Sequence, residues 1–280
     1  MFKSITLGQY YPSDSILHKL DPRVKVIATF GYIISLFLIN NFTGYIIAGA
    51  FLAVCVGLSK VPLRFILNGM KGILFLLLIT VIFNLFLTPG TPVFRFWKLQ
   101  ITMEGIVFAS KMAIRLIFLI ICSTLMTLTT TPNQLTDALE SIGRPLTVLH
   151  VPVHEVAMMM SIALRFIPIL AEETDKIEKA QMARGADFES GNIMQRAKSL
   201  IPVLVPLFLS AFRRADELAT AMEARCYRGD EGRTKMKDLT YDKRDYIAQA
   251  ALLASLGIMI GTRYLPGISQ MIAAVGKLPG

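Results

Sequence analysis

The sequence predicts an all-α membrane protein: about five transmembrane helices joined to a cytoplasmic helical domain. Three observations carry that expectation. Hydrophobic residues make up 54% of the 280 residues and the mean hydropathy is +0.55, more apolar surface than one soluble core buries. Several apolar runs approach the length of about 20 residues that crosses a bilayer. Charge is partitioned, too: residues 129–245 hold 16 Lys/Arg and 17 Asp/Glu, whereas the remainder holds 13 Lys/Arg and only 3 Asp/Glu. A densely charged, nearly neutral segment therefore interrupts a basic, apolar one. The expected domains are 1–128, an N-terminal transmembrane region of about four spans; 129–245, a cytoplasmic or interfacial helical domain; and 246–280, a C-terminal transmembrane helix and tail.

The elements follow in order. No small-residue cleavage site succeeds the first apolar run, so the N-terminus is expected to stay in the cytoplasm without a removable signal peptide. Asp21-Pro22-Arg23 writes a helix start, an N-cap acid followed by proline at the first helical position. A first span runs from about Arg23 to Ile39. Asn40, Asn41 and Thr43 make a polar turn before a second span from Gly44 to Leu58, and Ser59 to Arg64 turn the chain toward a third, from Gly72 to Leu87. Lys3, Lys19, Arg23, Lys25, Lys60, Arg64 and Lys71 then share one side, which the positive-inside rule makes cytoplasmic; Arg95 and Lys98 oppose it. Thr88 to Pro92 form a turn cluster, and Phe94, Phe96 and Trp97 suit an outer interfacial belt. The fourth span, Gly105 to Leu128, carries Lys111 and Arg115 four residues apart on one face. They are read either as markers of a transport path or as a snorkelling lysine and an arginine packed against a partner subunit or headgroups. Thr131-Pro132-Asn133-Gln134 is a capping box that opens a new helix, and a fifth span from Tyr246 to Leu265 places the C-terminus outside.

Cys55, Cys122 and Cys226 show no metal or disulfide spacing, and the basic excess lies in the apolar part with few interleaved aromatics, which excludes nucleic acid as a partner and points to anionic lipid.

The charged segment holds a faint internal repeat. A shift of 41 positions aligns Asp175 with Asp216, Ala180 with Ala221, Ala183 with Ala224 and Arg184 with Arg225. Each copy passes from a proline-bearing apolar stretch to charge and stops at an arginine. One such arginine is accounted for by the helix dipole, worth about 0.3 to 1 kcal/mol. Two at equivalent places, flanked by Ala183 and Gly185 and by Ala224 and Cys226, point to docking, because a guanidinium grips a carboxylate in a planar, bidentate way.

Ala183-Arg184-Gly185, its second copy within Glu223 to Gly229, Leu164-Arg165-Phe166-Ile167-Pro168 and the opening His18-Lys19-Leu20-Asp21-Pro22-Arg23 together resemble the transmembrane T component of energy-coupling factor transporters. The resemblance covers nearly the whole chain; Cys226 stands where the signature prefers glycine. It implies a non-catalytic scaffold for vitamin or micronutrient uptake with two long coupling helices that cross. Two ABC-type ATPase subunits would bind ATP and Mg, leaving no cofactor or metal in this chain, and a substrate-capturing membrane subunit, possibly interchangeable, would sit beside it in the cell membrane. By that likeness Ala183, Arg184, Gly185, Ala224, Arg225 and Cys226 dock the ATPases, while Met158, Met159, Met160, Leu164, Leu204, Phe208 and Phe212 face the substrate-capturing subunit.

Two rivals are weighed. An intramembrane enzyme of prenyl or phospholipid chemistry could use Glu172, Glu173, Asp175 and Glu178, or the D-x-x-D of Asp242 to Asp245, but neither has a second acidic motif facing it. His150 and His154 have metalloprotease spacing next to Glu155, yet Pro152 breaks the helix that such a site needs. A self-sufficient channel or secondary transporter should repeat its membrane half, whereas the repeat here lies in the charged part, and no Walker motif occurs.

Overall fold

A computed structural model describes residues 10–39, 41–89, 91–96, 99–188, 192–229 and 239–264. Nine helices and one two-stranded hairpin are found among them: α1 Pro22–Leu38, α2 Phe42–Ser59, α3 Leu63–Leu87, β1 Pro92–Phe96, β2 Leu99–Thr102, α4 Met103–Thr129, α5 Pro132–Gly143, α6 Val153–Ala183, α7 Ile193–Ser199, α8 Ile201–Ala224 and α9 Lys243–Tyr264. A 3₁₀ turn, Arg144–Leu149, precedes α6. The described residues divide into two compact units, one holding those within 10–135 and 239–264, the other those within 136–229.

In the first unit α1, α2, α4 and α9 share a core of Tyr32, Leu36, Ile39, Tyr45, Ala48, Leu52, Cys122 and Met259. α3 packs along α4, so closely that a Cβ on Gly69 would lie 2.9 Å from Thr124 Cγ2. Elsewhere α3 is uncovered: Ile66 is its one buried residue, while Phe75 and Leu87 are 74% and 70% exposed. An apolar helix with bare flanks belongs in lipid or against another membrane chain.

Four described helices, α2, α3, α4 and α6, are long and apolar enough to cross a membrane, and the fold is that of an all-α membrane protein. The span bounds differ from expectation in instructive ways. α1 has 17 residues, at the lower end of the length that crosses a bilayer, and α9 begins with the charged turn Lys243-Arg244-Asp245. α3 starts at Leu63 rather than Gly72, because Pro62 sits at its N-cap and Arg64 enters the first turn. α6, expected within the hydrated segment, meets the criterion through its first half, where residues 153–170 carry only Glu155 and Arg165 as charges. The turn cluster before α4 leads into the hairpin, which pairs Arg95 with Gln100. Of the expected aromatic belt and its opposing charges, Trp97 and Lys98 lie outside the described residues, as do the side chains of Phe94, Arg95 and Phe96.

Helix ends in this unit are tied by side chains. Asp21 caps α1 by accepting from Arg23 N at 2.8 Å, and its own backbone N–H donates to Asp245 Oδ1 at 2.8 Å. Asp245 Oδ2 accepts from Asp242 N at 2.8 Å, so the D-x-x-D is a helix start that also clasps α1. Arg23 donates to the Leu239 carbonyl and stacks over Tyr241, while Lys25 Nζ donates to Thr129 O at 2.9 Å and His18 O at 3.2 Å. His18 Nε2 donates to Tyr11 O at 2.9 Å, which leaves Nδ1 to accept from Ser15 at 2.6 Å. Burial pushes the His18 imidazole below its usual pKa, in keeping with this neutral tautomer. The opening motif is thus a strap across the end of the bundle.

Arg115, expected to meet a partner subunit or headgroups, also finds partners within its own unit. Its Nη2 donates to Ile39 O at 3.2 Å and its Nε to Tyr45 Oη at 3.1 Å, while the Tyr45 hydroxyl donates to Ile39 O at 3.3 Å. The half-buried guanidinium closes the carbonyl end of α1. Lys111 lies over the Phe42 ring at 5.3 Å. Further along, Thr131 and Gln134 form their capping box, with the Thr131 N–H donating to Gln134 Oε1 at 3.1 Å and the Gln134 N–H to Thr131 Oγ1 at 3.3 Å.

Asp245 is 2% exposed, so Asp245→Ala strands the buried Asp21 N–H and is expected to cost about 1 to 3 kcal/mol. Thermal unfolding in detergent measures it. Asp14→Ala, whose side chain is 96% exposed, should leave the midpoint where it is.

Candidate functional site

In the second unit α6 and α8 pack against each other, and their bonds define the direction. Glu173 on α6 meets Ser210 and Arg214 on α8, whereas Gln181, eight residues further along α6, donates through Nε2 to Pro202 O at 3.4 Å at the start of α8. Advancing on one helix means retreating on the other, so the pair is antiparallel and its two C-termini lie on opposite sides of the contact. Both helices run through an internal proline, Pro168 in α6 and Pro206 in α8, each of which forfeits a backbone hydrogen bond inside the apolar half.

The two ends are built alike. Arg184 is the C-cap of α6; the Gly185 N–H donates to Met182 O and the Ala186 N–H to Gln181 O, both at 3.0 Å. Arg225 is the C-cap of α8; the Cys226 N–H donates to Glu223 O at 2.8 Å and the Tyr227 N–H to Met222 O at 3.1 Å. Each is a Schellman termination, which demands a left-handed residue directly after the arginine. Gly185 supplies it at φ +87° and Cys226 at φ +57°. Nothing stands within 4 Å of where a Gly185 Cβ would be, so glycine is required there by the dihedral and not by space. Cys226 reaches the same end against a steric cost of about 1 to 2 kcal/mol.

Ala183, Arg184 and Gly185 are exposed, as are Ala224, Arg225 and Cys226. Neither guanidinium has an ion-pair partner among the described residues. The methionine and aromatic set is likewise open. Met159, Met160, Leu204, Phe208 and Phe212 are exposed, Met158 and Leu164 half-buried, and the Phe208 and Phe212 rings stack at 6.4 Å. Along α6 the one buried residue is Ala157.

The rival sites take other roles. Glu173 is bonded to Ser210 and Arg214. His154 Nδ1 bonds Glu140 Oε1 at 2.9 Å, joining α5 to α6, while His150 ends the 3₁₀ turn at φ +59°. Among the described residues no cluster of three or more His, Cys, Asp or Glu could hold a metal ion. The signal that sequence reasoning missed is Arg214, which stands 41 positions after Glu173, at the same offset that relates the two terminal arginines.

The described residues form an all-α membrane protein that presents two arginine-capped helices with matching ends, and comparison with known proteins gives its family. The chain belongs to the cobalt transport protein family CbiQ, whose family model matches residues 13–236. It is 54% identical over 265 residues to the energy-coupling factor transporter transmembrane protein EcfT of Clostridium kluyveri, covering 94% of this chain and 98% of that one. The protein of the same description from Ruminiclostridium cellulolyticum is 55% identical, with 95% and 99% covered, and that from Bacillus subtilis 46% identical, with 91% and 98% covered. The chain is a transmembrane component of an energy-coupling factor transporter, and no observation supports the intramembrane enzyme.

A left-handed position without a side chain predicts opposite effects at the two ends. Gly185→Val should raise amide hydrogen exchange at residues 185 and 186 by roughly 5- to 30-fold, the equivalent of about 1 to 2 kcal/mol. Cys226→Gly should slow exchange at residues 226 and 227. Exchange mass spectrometry on the detergent-purified chain reads both.

Proposed function

We propose that α6 and α8 are coupling helices: Arg184 and Arg225 each enter a groove of one cytoplasmic ABC-type ATPase subunit, and the exposed apolar residues receive a substrate-capturing membrane subunit. ATP and Mg are held by the ATPases, and no catalysis resides in this chain. One observation carries the reading, namely that two helices related by a 41-residue shift end in the same turn with an exposed arginine at the cap that has no ion-pair partner among the described residues. A C-cap serving only its own helix would have no need of two bare guanidiniums among small neighbours. Ala183, Gly185, Ala224 and Cys226 leave room for a carboxylate-bearing groove to close on each fork.

Met158, Met159, Met160, Leu164, Leu204, Phe208 and Phe212 supply a repackable surface for the substrate-capturing subunit, since thioethers adapt to different partner shapes. Such adaptability favours interchangeable partners and the uptake of vitamins or other micronutrients. The N-terminus and the arginine tips share the cytoplasmic side, as the lysines and arginines before α3 favour. In the cycle, ATP binding draws the ATPases together, the gripped tips follow, and the motion reaches the substrate-capturing subunit in the bilayer.

Truncating one member of a buried charge pair costs about 2 to 5 kcal/mol, or roughly 30- to several-thousand-fold in affinity. Arg184→Glu and Arg225→Glu are each expected to release an ATPase subunit during copurification in mild detergent and to depress uptake, with membrane insertion unchanged. A double variant that keeps both ATPases and normal uptake refutes the assignment.

A further inference from the structure

The antiparallel contact between α6 and α8 is poorly supplied with apolar packing. α6 buries only Ala157 and α8 only Val203. At the centre of the contact stand three polar groups instead. Both oxygens of Glu173 are taken, Oε1 by the Ser210 hydroxyl at 2.7 Å and Oε2 by Arg214 Nη2 at 2.9 Å. A crevice lined by Ile169, Glu172, Lys176, Ile177 and Ala180 together with Glu173 and Arg214 opens at this point.

The position of this cluster is symmetrical. Arg184 lies 11 residues beyond Glu173, and Arg225 lies 11 residues beyond Arg214. At 1.5 Å per residue each tip stands roughly 16 Å from the cluster, on opposite sides, which puts the tips on the order of 30 Å apart. The bond therefore sits at the midpoint of the two arms and joins residues that are each other's counterparts in the repeat.

We propose that Glu173, Arg214 and Ser210 form a pin at the crossing of α6 and α8, which fixes the spacing of the two arginine tips and is a set of positioning residues for coupling. The proposal rests on the reading of α6 and α8 as coupling helices. A solvent-exposed ion pair contributes little to stability as a rule. Here the apolar contact is thin and the pin is the chief restraint on sliding and rotation of one helix across the other.

The test uses the full chain in detergent, with Cys55 and Cys122 replaced by alanine and nitroxide labels on Cys226 and on a cysteine introduced by Met182→Cys. Electron-spin distance measurement should give a narrow tip-to-tip distribution that widens in Glu173→Ala and in Arg214→Ala. The reciprocal exchange, Glu173→Arg with Arg214→Glu, should narrow it again, with helix content by circular dichroism unchanged throughout. In the assembled transporter the single variants should keep both ATPases attached while uptake per ATP hydrolysed falls several-fold, and the exchange should recover it. An unaltered distance distribution in the single variants overturns the pin. Attachment of both ATPases to an Arg184→Glu, Arg225→Glu chain overturns the docking reading instead, and leaves the distance result standing.

Discussion

A backbone group or a charge left without a partner in a hydrocarbon environment costs several kcal/mol, and the architecture of the first unit follows from meeting that demand. Among its helices α2, α3 and α4 are long and apolar enough to enter a membrane. Their ends are the difficulty. The solution is a small number of polar side chains, each placed to serve more than one orphan group: Asp245 accepts from both Asp21 and Asp242, Lys25 serves two carbonyls, and Arg115 closes the end of α1 together with Tyr45. These bonds link segments far apart in sequence and so determine which helix lies beside which.

The second unit answers to a different constraint. Its long helices bury little, and what distinguishes them is how they stop. Two Schellman turns, one built with glycine and one with cysteine, halt α6 and α8 directly after an arginine. The strain accepted at Cys226 indicates that the shape of this end matters more than the comfort of the residue that makes it. A side-chain-tied bundle and a pair of long helices with matching ends are thus made by one chain with two separate sets of rules.

Much of this was legible in the sequence because it depends on neighbours. Asp21-Pro22 and Thr131 to Gln134 announce helix starts within four residues, and the 41-residue shift aligns both arginine tips. What escaped depends on distance. Arg115 reads as a charge in want of an outside partner because its acceptor, Ile39 O, is 76 positions away. Asp242 to Asp245 reads as a discarded metal motif because the clasp to Asp21 spans 224 positions. The pairing of Glu173 with Arg214 escapes for a subtler reason: an alignment rewards identity, and a glutamate opposite an arginine counts as a mismatch, although complementarity is what a contact between two counterparts requires. The hairpin before α4 and the early start of α3 were lost to turn signals, Pro89 to Pro92 and Pro62, that punctuate strands and helices as readily as loops.

The arm length also sets an angle. Eleven residues turn an α-helix through about 1,100°, which is roughly 20° past three full revolutions. Arg184 therefore leaves α6 on nearly the same stripe as Glu173, and Arg225 leaves α8 on nearly the same stripe as Arg214. Inserting one residue in either arm would lengthen it by only about 1.5 Å yet swing its tip by about 100°. The geometry thus tolerates changes in reach far better than changes in phase, and confines the arms to whole-turn increments.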